Sequence, residues 1–369
     1  MKTASDIISS DLDAICASLA SELAEMAGHK LLITGGAGFL GYYLVQTITH
    51  HNRLGKTQPI SLTVFDNFSR GMPDWLKKLA DDGALRCVRH DMRRPLPVDF
   101  DDFAYIIHAA SIASPTYYRK DPIGTMDANV NGLRNLLDRF LAQKNAGLPA
   151  RGFLFYSSSE IYGDPDAANI PTPETFRGSV SCTGPRACYD EAKRFGETLC
   201  VNFARQHGLP VKSARPFNNF GPGLKITDGR VIPDFVRDVH ADRDIVMLSD
   251  GRAMRTFCYS ADAITGYYKV LVRGKAGEAY NIGTETPEIS MADLARRIAA
   301  LGKEFYGYGG KVITKPSSDP DYLIDNPNRR CPIIAKARAD LGFEPAVTLD
   351  EGLRRSMIWY SGNREAEEK

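Results

Sequence analysis

Residues 30–41 constrain this chain more than any other stretch. Lys30-Leu31-Leu32-Ile33-Thr34 reads as a buried strand, and it runs directly into Gly35-Gly36-Ala37-Gly38-Phe39-Leu40-Gly41. A helix follows from about Tyr42. Glycines at 35, 38 and 41 let the backbone approach a pyrophosphate, whose charge then rests on the helix N-terminus, with Phe39 and Leu40 in the same turn. Strand before and helix after supply the context that a Gly-rich turn alone lacks. The stretch therefore predicts the dinucleotide-binding unit of an open α/β sheet.

The strands that follow fit the same plan. Ile60 to Phe65 ends in Asp66-Asn67. A carboxylate there accepts both ribose hydroxyls of NAD and repels the 2′-phosphate of NADP. Asp66 lies further from the Gly-rich turn than is usual, and the loop His50–Pro59 accounts for the excess. A third strand, Ala84 to Val88, leads to Asp91-Met92, where adenine contacts are expected. A fourth, Ala104 to His108, leads to Ala109-Ala110, small enough for a cofactor to cross the strand ends. His108 reads as a packing or hydrogen-bonding residue before a base. Asn129, on a helix near Gly124–Leu141, either braces the backbone near the site or bonds within the interior.

Chemistry enters with the fifth strand, Gly152 to Tyr156, which ends in Ser157-Ser158-Ser159-Glu160-Ile161-Tyr162-Gly163. Ligands of open α/β sheets sit beyond the carboxyl ends of the strands, where these hydroxyls and Glu160 fall. About 30 residues on, Tyr189 and Lys193 are four apart, on one face of a helix. A neighbouring ammonium favours a phenolate, so Lys193 is expected to lower the pKa of Tyr189 and make it a general base.

Composition excludes several classes. With 369 residues, 43% apolar and 25% charged, the chain reads as an ordinary globular protein of one large or two smaller domains. A net charge of +1 gives no support for a nucleic-acid or membrane surface. No apolar run reaches the roughly 18 residues of a membrane span. Seven cysteines without a Cys-x-x-Cys pair argue for reduced thiols in a cytoplasmic protein, and against a disulfide framework or a metal site.

Residues 1–28 form a separate amphipathic extension. Leu12, Ile15, Leu19, Leu23 and Met26 make one apolar stripe, with Ser10 as the expected N-cap, Asp11 and Asp13 in the first turn and Gly28 at the far end. The acidic residues exclude a secretory signal. A helix packed on its own domain or on a sister subunit is expected, with targeting as the alternative.

Taken together, Gly35–Gly41, Asp66, Ser158 and Tyr189/Lys193 resemble the extended short-chain dehydrogenase/reductase superfamily, which acts on nucleotide sugars, over about residues 29–360. Within it the chain is most similar to the UDP-glucuronate decarboxylases (UDP-xylose synthases). Four stretches carry this: Ala113-Ser114-Pro115-Thr116-Tyr117-Tyr118, Ser159 to Pro165, Gly184-Pro185-Arg186-Ala187-Cys188-Tyr189-Asp190-Glu191, and Asp228-Gly229-Arg230-Val231. The resemblance implies a Rossmann-type doubly wound parallel sheet over 29–217. A smaller C-terminal α/β substrate-binding lobe would follow over 218–369, with some segments returning to the first domain. It implies NAD as cofactor and a nucleotide sugar, UDP-linked, as substrate. Ser114, Tyr117, Glu160, Arg186, Asn218, Arg230, Arg255 and Arg330 would contact the substrate, guanidinium groups being suited to bidentate pairing with phosphate and carboxylate.

The same resemblance implies a redox-neutral cycle. Tyr189 takes the proton of the sugar 4-hydroxyl, Ser158 orients it, and hydride passes from C4 to NAD+. The resulting 4-ketone lets the C5 carboxylate leave as CO2, with Glu160 and Ser159 positioning the ring or a water. Ser159 stands where 4,6-dehydratases carry Asp, and as a hydroxyl it cannot serve as their acid. Gly223 stands where the decarboxylases usually have Arg, and Ser181-Cys182-Thr183 replaces Asn-Pro-Ile. A 4-epimerase, oxidase or dehydratase of the same superfamily stays open as an alternative, as does a non-catalytic NAD-binding sensor or scaffold. Relatives commonly dimerise through the helices near Gly124–Leu141 and Tyr189–His207, so a homodimer is expected.

Overall fold

The alternating strands and helices assemble into one seven-stranded parallel sheet. The structure, a computed structural model, describes residues 2–319 and 324–363. The charged end, expected to fray over 361–369, lies outside the described residues from 364 onward. The strands are β1 (Lys30–Thr34), β2 (Ser61–Asp66), β3 (Arg86–Arg89), β4 (Tyr105–His108), β5 (Gly152–Tyr156) and β6 (Val211–Pro216), with Ala279–Ile282 as the seventh. Their order is Ala279–Ile282, β6, β5, β4, β1, β2, β3, so the chain reverses direction across the sheet between β1 and β4. That reversal places a crevice at the carboxyl ends of β1 and β4, as expected for a doubly wound sheet.

Both faces of the sheet are buried. Leu31, Ile33, Val64 and Ile107 join one apolar cluster, while Leu32, Phe65, Ile106 and Phe153 join the other. Alternate residues of a strand point to opposite faces, so near-continuous apolar runs are what a doubly covered sheet needs. Burying each such side chain contributes about 1.5–3 kcal/mol.

Helix α1 (Ala4–Ser18) starts earlier than the sequence suggests. Thr3 is its N-cap, in a reciprocal capping box with Asp6, and this displaces Ser10 from that role. Asp11 is not in a solvated first turn. It is buried, and accepts hydrogen bonds from Tyr43 Oη, from Tyr259 Oη at 2.6 Å and from Arg355 Nη1 at 2.6 Å. After a short break at Leu19 comes α2 (Ala20–Met26), whose Glu22 pairs with Arg273 at 2.7 Å. The stripe Leu12, Ile15, Leu19, Leu23 and Met26 belongs to the main core. Both helices thus pack on their own chain, α1 against α3 (Phe39–Leu54), helix Ser260–Arg273 and helix Leu349–Gly362, and α2 against helix Ser260–Arg273.

The expected helix near Gly124–Leu141 is two, Pro122–Asn129 and Asn131–Asn145. Beyond β6 a smaller layer forms from helices Val231–His240 and Met291–Tyr306, the parallel pair Ile245–Met247 and Val312–Thr314, and a three-stranded ribbon. In that ribbon Met254–Arg255 lies between Ile289–Ser290 and Arg329–Arg330. Ala279–Ile282 and Ser260–Arg273 return to the main sheet. Among the described residues, no helix is long and apolar enough to cross a membrane, and no cluster of His, Cys, Asp or Glu is arranged to hold a metal ion.

Candidate active site

A cleft of about 1490 Å³ opens where the carboxyl ends of the main strands face the smaller layer. Its inner wall is the Gly-rich turn. Gly35 has φ +75°, and a Cβ there would stand 2.7 Å from the Ala110 backbone, so only glycine lets the turn lie against Ala109-Ala110. A Cβ on Gly41 would meet the Gly36 carbonyl oxygen at 2.2 Å. Gly38 caps α3 without a side-chain bond, and the helix begins at Phe39, ahead of Tyr42, with no acidic residue in its first turn. The N–H groups of that turn are left for an anion. Asp66, at the end of β2, accepts from Ala37 N at 3.0 Å and from Phe68 N at 2.8 Å, which fixes the carboxylate at the mouth of the turn. Small residues at every close approach and an oriented carboxylate fit NAD. Asn67 and Met92 line the same cleft, as does Asp91, whose carboxylate is gripped by Arg93 at 2.6 Å.

The deeper wall brings Ser158, Ser159, Glu160, Tyr189 and Lys193 together. Ser158 ends the extended backbone after β5, and its hydroxyl caps the short helical turn Ser159–Tyr162 by accepting from Glu160 N at 3.2 Å. Tyr189 and Lys193 occupy the first turns of helix Ala187–His207 and are both buried. The expected acidification of the phenol is absent. Burial pushes Tyr189 up to about 12, against the pull of its hydrogen bond with Ser158, and pulls Lys193 down to about 7. Desolvation disfavours each charge by itself. The ammonium also donates to the Tyr156 carbonyl at 2.7 Å and stands 5.6 Å from the Tyr189 ring centre.

Around Glu160 the cleft is strongly charged. Arg330 grips the carboxylate through both terminal nitrogens, one at 2.6 Å, and Arg186 donates to the same carboxylate. Burial alone would lift the Glu160 pKa, but Arg330, Arg186 and Arg255 outweigh it and hold the group down at about 2. Arg255 is itself buried beside two other guanidiniums, which brings it down to about 9. It donates to the carbonyls of Met254 and Pro327. Three cations facing one firmly ionised carboxylate make a receptor for anions.

The other positions singled out from sequence reach the cleft in different ways. Tyr117 is half-exposed, with Arg70 4.9 Å over its ring. Ser114 is buried and donates to the Asp228 carbonyl at 3.3 Å, across to the smaller layer. Asn218 sits at φ +41° and donates to the Thr256 carbonyl at 2.9 Å. Arg230 pairs with Asp228 at 3.0 Å and lies over Phe39. His108 instead bonds Thr34 Oγ1 at 2.8 Å and is held neutral by burial, its pKa at about 3. The Asn129 amide donates to its own helix, at Thr125 O. The departure Gly223 lines the cleft, whereas Ser181–Thr183 lies outside its wall.

Three residues escaped the sequence reading. Tyr118 stacks on Tyr189, ring centres 5.2 Å apart and planes 11° from parallel. Asp190 is buried behind Arg186 at 3.6 Å. Asp228 ties Arg70 to Arg230. Each stands inside one of the quoted stretches, yet no spacing rule separates it from its neighbours.

Similarity to known proteins agrees with this geometry. UDP-glucuronic acid decarboxylase 5 of Arabidopsis thaliana is 36% identical over 88% of this chain and 87% of the relative. UDP-glucuronic acid decarboxylase 1 of Xenopus tropicalis is 35% identical over 92% of this chain and 73% of the relative. Among solved structures, the dTDP-glucose 4,6-dehydratase of Streptomyces venezuelae, crystallised with NAD, superposes with a TM-score of 0.76 at 25% identity, covering 91% of this chain and 98% of that one. The sequence model of the NAD dependent epimerase/dehydratase family matches residues 31–283, from the Gly-rich turn to the last strand of the main sheet, and the chain belongs to that family.

Proposed function

We propose that this protein is an NAD-dependent decarboxylase that converts UDP-glucuronate to UDP-xylose. The observation that carries this is the arginine set Arg186, Arg255 and Arg330 around an ionised Glu160, in the same cleft as Ser158, Tyr189 and Lys193. The diphosphate of any nucleotide sugar answers part of that positive charge, and a uronate carboxylate adds a second anion that a neutral hexose lacks. The nearest dehydration chemistry needs an acid at position 159, where this chain has a buried serine.

Gly35, Gly38, Gly41 and Asp66 would hold NAD, which would supply a reversible hydride acceptor for sugar C4. Tyr189 removes the proton of the 4-hydroxyl, which Ser158 orients, and Lys193 stabilises the phenolate as it forms. Arg255 holds the sugar carboxylate or the diphosphate. The C5–C6 bond then breaks, CO2 leaves, and its electron pair remains as the enolate of the 4-ketone until C5 is reprotonated. Glu160, ionised far below neutral pH, is not that proton donor. It fixes Arg186 and Arg330 and, with Ser159, positions the ring or a water. Asn218 and Arg230 hold the nucleotide end, beside Tyr117.

Purified protein should release CO2 from UDP-glucuronate and yield UDP-xylose with no net NADH. NMR of the product should show loss of the C6 signal, and retention of that signal would overturn the reading. Two coarser features extend it. Ile123, Met126 and Phe195 are exposed on the adjoining helices Pro122–Asn129 and Ala187–His207, which suits a homodimer built on this face. Seven cysteines, all free, suit the cytoplasm. A monomer by light scattering at micromolar concentration would remove the dimer.

A further inference from the structure

Asp190 is a buried acid that the chemistry above does not use. It follows Tyr189 in the first turn of its helix, 4% exposed, and lies one turn from Arg186 on the same face. Arg186 is shared: its Nη2 donates to Glu160 on the cleft side, while its Nε stands 3.6 Å from Asp190 Oδ2 behind. Neither Arg186 Nε nor Asp190 Oδ1 has a hydrogen-bond partner among the described residues. The back of the guanidinium is thus held by charge and not by a closed hydrogen bond.

We propose that Asp190 is a positioning residue that couples binding of the anionic nucleotide sugar to uptake of a proton, acting through Arg186. The inference rests on the proposed function for the identity of the anion. The groups facing Asp190 are Arg186, Cys188 and Tyr189 on its own helix, Glu160 on the turn after β5, Arg330 on the ribbon, and Tyr118 on the short helix Pro115–Tyr118. Burial, then the Glu160 charge, raises the Asp190 carboxyl to about 7, with Arg186 and Arg330 opposing. An anion that engages Arg186 and Arg330 adds like charge near Asp190 and withdraws the cations that kept it ionised. Both effects raise its pKa further.

The sign follows. The carboxyl binds its proton more tightly in the complex than in the free protein, so affinity is greatest below about pH 7 and weakens as pH rises from there toward the pKa in the complex. Each unit of that difference weakens binding about tenfold. Titration calorimetry of UDP-glucuronate into Tyr189→Phe, which binds it without turnover, should show proton uptake near pH 7.5 in buffers of different ionisation enthalpy. Asp190→Asn added to that protein should bind without that uptake and with an affinity that no longer falls at alkaline pH. Uptake undiminished in Asp190→Asn overturns the proposal. Should that variant not fold, difference infrared of Tyr189→Phe carrying 13C-aspartate should show a protonated-carboxyl band when UDP-glucuronate is added at pH 8, and its absence overturns the proposal equally. Binding without proton uptake sinks this inference alone. Failure of UDP-glucuronate to bind at all sinks the proposed function with it.

Discussion

Arg70, on the loop after β2, reaches the buried carboxylate of Asp228, Nη1 to Oδ2 at 2.7 Å. Lys225 donates to the Arg70 carbonyl at 3.1 Å, and the Arg70 guanidinium covers the Tyr117 ring. Segments far apart in the chain thereby meet at the rim of one cleft, from the cofactor side, the substrate side and the loop after β4.

Arg70→Ala removes this clasp without touching the catalytic groups. A hydrogen bond to a charged group contributes about 1.5–3 kcal/mol, so closure should weaken by roughly ten- to a hundredfold. Bound NAD is expected to exchange faster with labelled NAD, and the KM for the nucleotide sugar to rise. Unchanged exchange would show that the clasp does not retain the cofactor.

Tyr189→Phe removes the hydroxyl while leaving the ring to stack on Tyr118. Loss of a general base costs about 10²–10⁴ in rate. No NADH absorbance should appear in a single turnover, while substrate binding by calorimetry persists. If absorbance appears at the normal rate, another group takes the C4 proton.

Glu160→Gln tests the charged set through stability. The folded pKa of Glu160, about 2, lies below its ordinary 4.5, so the group stabilises the fold fully above that ordinary value. The benefit is lost as pH falls through the folded value. The gap in melting temperature between wild type and Glu160→Gln should shrink as pH falls from about 4.5 and close by about pH 2. The same variant leaves Arg186 and Arg330 without their shared carboxylate. Substrate-dependent NADH formation that survives in it would place Glu160 after oxidation.

Gly223→Arg restores the residue usual in the decarboxylases, yet it should harm this chain. Gly223 has φ +88°, and a Cβ there would stand 2.4 Å from Tyr42 Cβ. The strained backbone and the collision predict a lower melting temperature and impaired NAD binding, since Tyr42 belongs to α3. Gly223→Arg paired with Tyr42→Gly, which removes the Cβ that is struck, should recover part of the loss if the collision is the cause.

How much of this could be read in advance varies from residue to residue. The main strands and the Gly-rich turn were legible because burial on two faces and close backbone approach leave a direct imprint on residue type. Boundaries were less so: α3 starts at Phe39 because Gly38 caps it, and α1 starts at Ala4 because the Thr3–Asp6 box outcompetes Ser10. The Tyr189–Lys193 spacing located the pair but misjudged its electrostatics, since spacing carries no information on desolvation. Asp11, Asp190 and Asp228 were illegible for a common reason. An aspartate looks solvated in sequence until distant residues such as Arg355, Arg186 and Arg70 are seen to enclose it.

The pairing of Asp11 with Arg355 has a consequence for how the chain is made. Synthesis delivers α1 well before helix Leu349–Gly362, and the partners are 344 positions apart. Until that helix leaves the ribosome, α1 has neither Arg355 nor the full apolar surface on which its stripe rests. Its stripe and its acid must therefore wait, exposed, while the main sheet forms, which is the circumstance in which chaperones act. Deleting helix Leu349–Gly362 should release α1, so protease cuts near α1 would report whether that helix is in place.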